Sequence, residues 1–274
     1  MTDMPRPAAV LAALLVLVPV GCGGDGASPP AWNHDPEDAE LGPAAWGGQE
    51  SYEQCSSGAE QSPVDLAATA PAELPPLRFD YAPTPLVVEN TGHVIEVPMS
   101  ESSELTLGVG DDEYRLLQYH LHAPSEHTLD GEPFDVEVHL VHESDAGELA
   151  VVGVFFEASD ALALGLVESV VENAPEEAGE EVEVDVEADP RELLAALGAE
   201  ISVSGYYTYP GSLTTPGCAE GVRWIVLPGA MPISASSTER LHELVAGFPG
   251  YDGYPNNNRP TQPLNEREIE AGGG

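Results

Sequence analysis

The chain has 274 residues, of which 48 are acidic and only 8 are basic, so its formal net charge is −40 at pH 7. A negative field of this size repels phosphate backbones and anionic membrane surfaces, which argues against nucleic acid as a partner. Hydrophobic residues make up 42% of the sequence, enough for a sizeable core, and this excludes global disorder. The simplest interpretation of the charge is a solvated acidic coat that keeps the protein soluble in salt.

The first 30 residues have the features of an export signal followed by a tether. A positive charge precedes the apolar run 8–18, which is too short to span a bilayer. We therefore expect 1–22 to be a signal peptide and 23–30 a flexible linker, with the mature protein exported to the periplasm or the cell surface. Cys22 stands where a bacterial lipoprotein carries its acylated cysteine, so a lipid anchor is one hypothesis and simple signal cleavage is the other.

From residue 31 to residue 270 the composition does not change, which predicts a single domain, with 271–274 as a disordered tail. Short apolar runs recur between turn signals at the spacing of β-strands. These predicted strands cover 86–89, 93–98, 105–109, 114–122, 135–142, 149–157, 201–209 and 222–227. Helical periodicity is confined to 162–172, 190–197 and 237–245, and Ser237 or Thr238 is the expected cap of the last helix. The predicted class is mostly β, with a few surface helices (α+β).

An acidic segment, 174–189, lies between the first two predicted helices and contains eight Asp and Glu residues. One interpretation is cation binding. The other is a solvated loop and edge strand whose charges discourage pairing between sheet edges, and this is the interpretation we favour.

Three histidines form the strongest candidate functional site. His120 and His122 are two residues apart on the predicted strand 114–122, so their side chains leave the same face. His139 lies on the next predicted strand and can complete the set if the two strands are adjacent and antiparallel. Zinc binds three neutral imidazoles in this way and keeps a fourth position for a water whose pKa falls to about 7. A generic metal-binding strand pair remains the alternative at this point, because a His-x-His pair alone also occurs by chance.

The residues around these histidines resemble the zinc segment of the alpha-class carbonic anhydrases, and the bacterial exported type above all. This segment is Gln118-Tyr119-His120-Leu121-His122-Ala123-Pro124-Ser125-Glu126-His127-Thr128-Leu129-Asp130-Gly131. Four further blocks match in the same order, at 61–65, 137–142, 209–216 and 257–265. The resemblance covers about 32–270 and implies a large central, mainly antiparallel twisted sheet.

The same resemblance implies an activity and its ligands. The activity is reversible, Zn²⁺-dependent hydration of carbon dioxide to bicarbonate and a proton, by attack of a zinc-bound hydroxide and proton transfer through a histidine. Sulfonamides and small anions are the expected inhibitors. We expect either a monomer or a homodimer.

The resemblance makes the three histidines zinc ligands and gives each imidazole a partner for its other ring nitrogen, which fixes the tautomer. In the order His120, His122 and His139, these partners are Gln118, a backbone carbonyl near Asn257, and Glu137.

Two threonines and a set of apolar residues are implied to handle the substrate. Thr214 is expected to accept a hydrogen bond from the attacking hydroxide and to donate one from its own hydroxyl to Glu126. Thr215 is expected to contact bicarbonate. Carbon dioxide is apolar and needs a dry wall beside the metal. The residues at the matching positions are Val141, Val151, Leu213, Val222 and Trp224.

His93 is the candidate for the proton shuttle, because its segment, 90–96, matches the shuttle segment of the family and an imidazole titrates near neutral pH. An exposed surface histidine is the alternative. Two neighbours depart from the family pattern. Glu96 replaces an Asn or Gln, and its charge is expected to raise the pKa of His93. His34 replaces a Tyr that orders water, which affects the expected efficiency of proton transfer.

Cys55 and Cys218 form an even pair in a protein that we expect to be exported, which favours a disulfide over two unpaired thiols. They also stand where bacterial family members form their disulfide, so the bridge is expected to hold the loop after Thr215.

Two alternatives to the enzyme come from other classes. A catalytically silent binding module of the same fold generally lacks one or more of the zinc histidines, whereas this chain has all three. A zinc peptidase would need a His-Glu-x-x-His helix, and the sequence contains none.

Overall fold

The computed structural model describes residues 31–67, 69–159, 165–197, 202–203 and 205–272. The predicted signal peptide and linker, Cys22, and the first residues of the predicted helix 162–172 lie outside these ranges. Within the described ranges, no helix is long and apolar enough to cross a membrane.

The described chain contains short helices and many strands. The α-helices are α1 (Gln54–Ser57), α2 (Gly165–Asn173) and α3 (Ala235–Ala246), and 3₁₀ helices cover Trp46–Gly48 and Pro190–Leu197. The strands are β1 (Thr69–Ala72), β2 (Leu77–Asp80), β3 (Thr84–Asn90), β4 (Ile95–Pro98), β5 (Thr106–Val109), β6 (Asp112–His122), β7 (Thr128–Leu129), β8 (Glu132–Pro133), β9 (Val136–Glu143), β10 (Leu149–Ala158), β11 (Glu181–Ala188), β12 (Ser202–Val203), β13 (Tyr207–Ser212), β14 (Glu220–Ile233) and β15 (Ile269–Gly272). Because β15 ends at Gly272, ordered structure extends two residues past the predicted domain boundary at 270.

Thirteen strands of the described chain form one large twisted sheet. Its main path is β1-β15-β13-β14-β10-β9-β6-β4-β3-β11, and β5, β2 and β12 branch from β6. The pairs β10–β14 and β1–β15 are parallel, whereas the pairs that β9 forms with β6 and β10 are antiparallel, as are most of the others. The predicted fold class is thereby confirmed. The acidic β11 lies at one edge of the sheet, as expected for a strand whose charges discourage further pairing.

The centre of the sheet is buried on both faces. In β9 every residue from Val136 to His142 is buried. Val138 and Leu140 join the main core, which also includes α2 and α3, while Val141 belongs to a second, smaller apolar cluster on the other face. Since side chains alternate along a strand, Glu137 and His139 emerge on the side of the smaller cluster. A polar site is therefore built against the side of the sheet that has less apolar packing.

Three predicted elements differ in the structure: the cap of α3, the type of the helix 190–197, and the strand 201–209. Helix α3 is capped by Ser234, whose hydroxyl accepts a hydrogen bond from the Ser237 amide; the predicted cap at Ser237 or Thr238 is wrong because both residues already lie inside the helix. The predicted helix 190–197 is a 3₁₀ helix, and the predicted strand 201–209 corresponds to β12 and β13, two separate strands.

Candidate metal centre

Strands β6 and β9 bring the three histidines together. The two strands are adjacent and antiparallel, and His120 stands directly opposite His139. His122 follows two residues later on the same face, and its ring centroid lies 4.9 Å from that of His120 and 4.6 Å from that of His139. One nitrogen from each ring can be chosen so that all three lie within 4.8 Å of one another. Cross-strand register and strand alternation are therefore sufficient to build the cluster.

Each of the three imidazoles has one ring nitrogen held by the protein. Gln118 Oε1 lies 2.8 Å from Nδ1 of His120, and the backbone carbonyl of Asn257 lies 2.8 Å from Nδ1 of His122. Nε2 of His139 lies 3.1 Å from Oε1 of Glu137, at ion-pair distance but without the alignment of a hydrogen bond. Nε2 of His122 and Nδ1 of His139 lie 3.6 Å and 3.8 Å from the same oxygen, Oε2 of Glu126.

The unpaired atoms at this site fit a metal ion. Nε2 of His122 and Oε2 of Glu126 are buried, have no hydrogen-bond partner, and lie 3.6 Å apart. A buried polar atom left without a partner costs about 1–3 kcal/mol. Three imidazole nitrogens with an open fourth position are the donor set of a catalytic zinc site. The residues present therefore fit Zn²⁺.

In a second group of possible ligands, His127, Glu137 and His139, the first two residues already have hydrogen-bond partners. Nδ1 of His127 lies 2.8 Å from Oε1 of Glu137, and its Nε2 lies 2.6 Å from the Tyr209 hydroxyl. Oε2 of Glu137 accepts hydrogen bonds from the amides of Glu126 and His127. This group shares His139 with the first one, and its contacts hold Glu137 beside that ligand.

The close packing of Glu137 depends on a glycine that the sequence analysis did not identify. Gly153 of β10 pairs directly with His139. A Cβ atom at this position would lie 2.6 Å from Oε1 of Glu137, closer than such contacts allow. A lone glycine inside a strand, which often marks a close approach by another group, was the available signal.

Burial and charge set the protonation of the ligands. Burial lowers the pKa of His120 and of His122, which favours the neutral rings that metal binding requires. Burial would also lower the pKa of His139, but the Glu137 carboxylate outweighs it and raises that pKa. Burial alone would raise the pKa of Glu137, and the neighbouring His127 and His139 bring it well below its usual range.

Thr214 and Glu126 are both buried, but the expected hydrogen bond between them is not formed in this structure. Oε1 of Glu126 accepts from the Arg259 amide at 2.7 Å, while Oε2 is turned towards His122 and His139. Oε2 of Glu126 therefore lies beside two of the three histidines, at 3.6 Å and 3.8 Å.

The predicted apolar residues lie together beside the histidines. Val141, Val151, Val222 and Trp224 belong to the smaller cluster, and the partly buried Leu213 packs against it. The Trp224 ring centroid lies 4.8 Å from that of His139, and its indole N–H donates to the Ser212 carbonyl at 2.9 Å. Thr215 follows Thr214 and is partly buried. One side of the site is thus an apolar wall with a fixed indole.

His93 lies in a turn before β4, where the Thr91 hydroxyl accepts from its amide. Its ring stacks on Trp32, with centroids 3.7 Å apart and an angle of 8° between the planes. The expectation that Glu96 raises the pKa of His93 is wrong: burial lowers that pKa to about 4. Burial also raises the pKa of Glu96 to about 7, with a contribution from Glu89, so this residue is only partly ionised at neutral pH.

The disulfide between Cys55 and Cys218 is present and joins α1 to the loop after β13. The Cys218 amide donates to the Thr215 carbonyl at 2.9 Å, so the bridge reaches the threonine loop directly. Arg259, whose role the sequence analysis missed, is buried and donates from its guanidinium to the carbonyls of Ser62 and Cys55. It therefore connects the disulfide to Glu126, which its own amide contacts.

Comparisons with known proteins give one consistent family. The model of the eukaryotic-type carbonic anhydrases matches residues 41–272. The chain is 33% identical to a carbonic anhydrase of Neisseria gonorrhoeae over 87% of this chain and 86% of that protein. It is 34% identical to one of Nostoc over 84% of this chain and 83% of that protein. Among solved structures, the alpha-carbonic anhydrase of Thermovibrio ammonificans, in complex with the inhibitor sulfanilamide, superposes with a TM-score of 0.77 at 34% identity, over 89% of this chain and 100% of that one.

Proposed function

The chain belongs to the alpha-class, eukaryotic-type carbonic anhydrases, and we propose that it hydrates carbon dioxide reversibly at a zinc ion bound by His120, His122 and His139. The observation that carries this proposal is the arrangement of ring nitrogens. One ring nitrogen of each histidine lies close to an oxygen of Gln118, Asn257 or Glu137, and the three rings can offer one nitrogen each within 4.8 Å of one another.

Zinc at this site would act as a Lewis acid and lower the pKa of a water molecule to about 7, so that a nucleophile exists at neutral pH. The remaining work falls to side chains of the protein. Thr214 orients the attacking water by accepting a hydrogen bond from it, and Glu126 turns to accept a hydrogen bond from the Thr214 hydroxyl. The uncharged wall around Val141 and Trp224 holds carbon dioxide and excludes bulk water from it. Thr215 contacts the bicarbonate product.

The proton released in each turnover leaves through His93, which takes it from the site and passes it to buffer. A pKa lowered to about 4 by burial disfavours the charged ring. We therefore propose that His93 carries the proton only transiently and that its ring exchanges it with buffer at the surface. Sulfonamide inhibition follows from the similarity to a relative that was solved with sulfanilamide.

We propose further that the chain is exported, as a disulfide and bacterial relatives favour. This proposal includes cleavage of the predicted signal peptide and a periplasmic or cell-surface location. It also includes a lipid anchor through acylation of Cys22.

The test is oxygen-18 exchange between carbon dioxide and water, with zinc-loaded wild type, His139→Gln and His142→Gln. His142 lies on the same strand, is equally buried, and bonds to Tyr81 on the opposite face, which makes it a matched control. Exchange should be fast in wild type and the control, inhibited by sulfanilamide, and lost in His139→Gln. A wild-type protein that binds zinc but exchanges no faster than buffer would be a silent binding module, against which the complete set of histidines argues.

A further inference from the structure

Three polar side chains outside the metal site, two of them buried and one half-buried, form a connected chain. Nδ1 of His34 lies 2.5 Å from the Tyr251 hydroxyl, and the same hydroxyl lies 3.5 Å from Nδ1 of His93. His34 is 0% exposed and Tyr251 is 2% exposed. The Tyr251 hydroxyl therefore connects His34 with His93, which lie 59 positions apart in the sequence.

The three groups are neutral, so the hydrogen bonds between them depend on the tautomers of the two imidazoles. Burial raises the pKa of Tyr251 and lowers the pKa of both His34 and His93, so that all three are neutral at pH 7. A phenol has a single proton and can donate it to only one of its two neighbours. If this proton lies in the shorter contact, Tyr251 donates to Nδ1 of His34. Its oxygen is then left to accept from an N–H at Nδ1 of His93.

Other contacts hold the backbone of His93 and one face of its ring, and leave its tautomer unspecified. Asn257 donates to the His93 carbonyl at 3.2 Å, and Trp32 stacks on the ring. Asn33 donates to the Gly250 carbonyl at 2.9 Å, which ties the N-terminal segment to the loop that carries Tyr251. Within the described part of the chain, the Tyr251 hydroxyl is the polar group that contacts Nδ1 of the His93 ring.

His34 has an unpaired nitrogen that makes it an unusual choice for a core residue. Its Nε2 is buried and has no hydrogen-bond partner, and its environment includes His122, His93 and Arg259. A buried polar atom without a partner destabilises the fold, so the presence of an imidazole here calls for a compensating role. Fixing the hydroxyl of Tyr251 is the role that its contacts provide.

We propose that Tyr251 and His34 are positioning residues, which fix the ring orientation and tautomer of His93 so that Nε2 of His93 is the atom that receives the proton. This inference rests on the proposed function of His93 as the proton shuttle.

The first test compares Tyr251→Phe with Tyr254→Phe. The control removes a hydroxyl from the same loop, and that hydroxyl contacts Asn256 at 3.4 Å. Oxygen-18 exchange separates the interconversion of carbon dioxide and bicarbonate from the proton transfer that releases labelled water. Tyr251→Phe should slow proton transfer about five-fold, as expected for loss of one neutral hydrogen bond, and leave interconversion unchanged. Tyr254→Phe should change neither rate.

The second test uses two substitutions of similar size at His34. His34→Asn keeps an acceptor oxygen near the position of Nδ1, whereas His34→Leu has no acceptor. The Asn variant should retain proton transfer, and the Leu variant should behave like Tyr251→Phe. The ¹⁵N spectrum of the His93 ring adds a readout that is independent of activity: one tautomer, protonated at Nδ1, in wild type and a mixture in Tyr251→Phe.

Unchanged proton transfer and a single His93 tautomer in Tyr251→Phe would overturn the inference. An equal loss of interconversion and proton transfer would also overturn it, because that pattern belongs to a general structural defect. If wild type shows no exchange at all, the proposed function fails, and the tautomer of His93 in wild type and Tyr251→Phe still decides the positioning claim.

Discussion

Removing the disulfide should destabilise the fold strongly, because the bridge closes a very long loop. Cys55 and Cys218 are separated by 163 residues, and both are buried beside Trp46. In the chain-entropy model, a loop of this length gives a limit of about 5 kcal/mol, and measured bridges commonly contribute about 2–4 kcal/mol. Replacing both cysteines with Ala avoids burying an unpaired hydroxyl. We therefore expect the free energy of unfolding to fall by about 2–5 kcal/mol.

Urea unfolding of wild type and of the Cys55→Ala/Cys218→Ala variant measures this difference, with a comparison of the slopes to detect changes in the unfolded state. Reductant should lower the stability of wild type towards that of the variant and leave the variant unchanged. Amide exchange should also increase in the loop that contains Thr214 and Thr215, since the Cys218 amide bonds to the Thr215 carbonyl. A variant within about 0.5 kcal/mol of oxidised wild type, the usual range for surface substitutions, would refute the reasoning.

Three further predictions concern the proton route, acid stability and salt. His93→Ala should slow oxygen-18 exchange in weak buffer and be partly rescued by imidazole; no change in weak buffer would assign the shuttle to another group. Burial lowers the pKa of His142 to about 4 from an ordinary value of 6.5, so its contribution to stability is complete above pH 6.5 and is lost as the pH falls towards 4. Between pH 7 and pH 4.5, His142→Gln should therefore lose about 2 kcal/mol less unfolding free energy than wild type, and equal losses in urea titrations would contradict this sign. Because 48 acidic residues outnumber 8 basic ones, salt should screen the repulsion between carboxylates and raise the melting temperature between dilute buffer and molar salt. A steady fall in the melting temperature would count against this.

The sequence was sufficient to predict the three histidines, because each lies on a strand where alternation and register decide the geometry. His120 and His122 share a face by the two-residue period, and the antiparallel pairing of β6 with β9 brings in His139. The partners at Gln118 and Glu137 came from the family resemblance, and strand alternation is consistent with them, since each stands two residues before a histidine on its own strand.

Features that depend on contacts between distant segments could not be predicted. Gly153 is required because the neighbouring strand places Glu137 against it. Arg259 is important because it contacts Cys55 and Glu126, which are distant in the sequence. The sign of the pKa shift at His93 depends on burial, which no local pattern reveals. The link from His34 to Tyr251 spans 217 positions and is carried by no motif.

Metal analysis combined with X-ray absorption on the exported protein tests the central claim most directly. We predict one zinc ion per chain, bound by three imidazole nitrogens at about 2.0–2.1 Å with a fourth light ligand, and loss of both the metal and oxygen-18 exchange in His139→Gln. A wild-type protein without stoichiometric zinc, or zinc that remains fully bound and active in His139→Gln, would contradict the account.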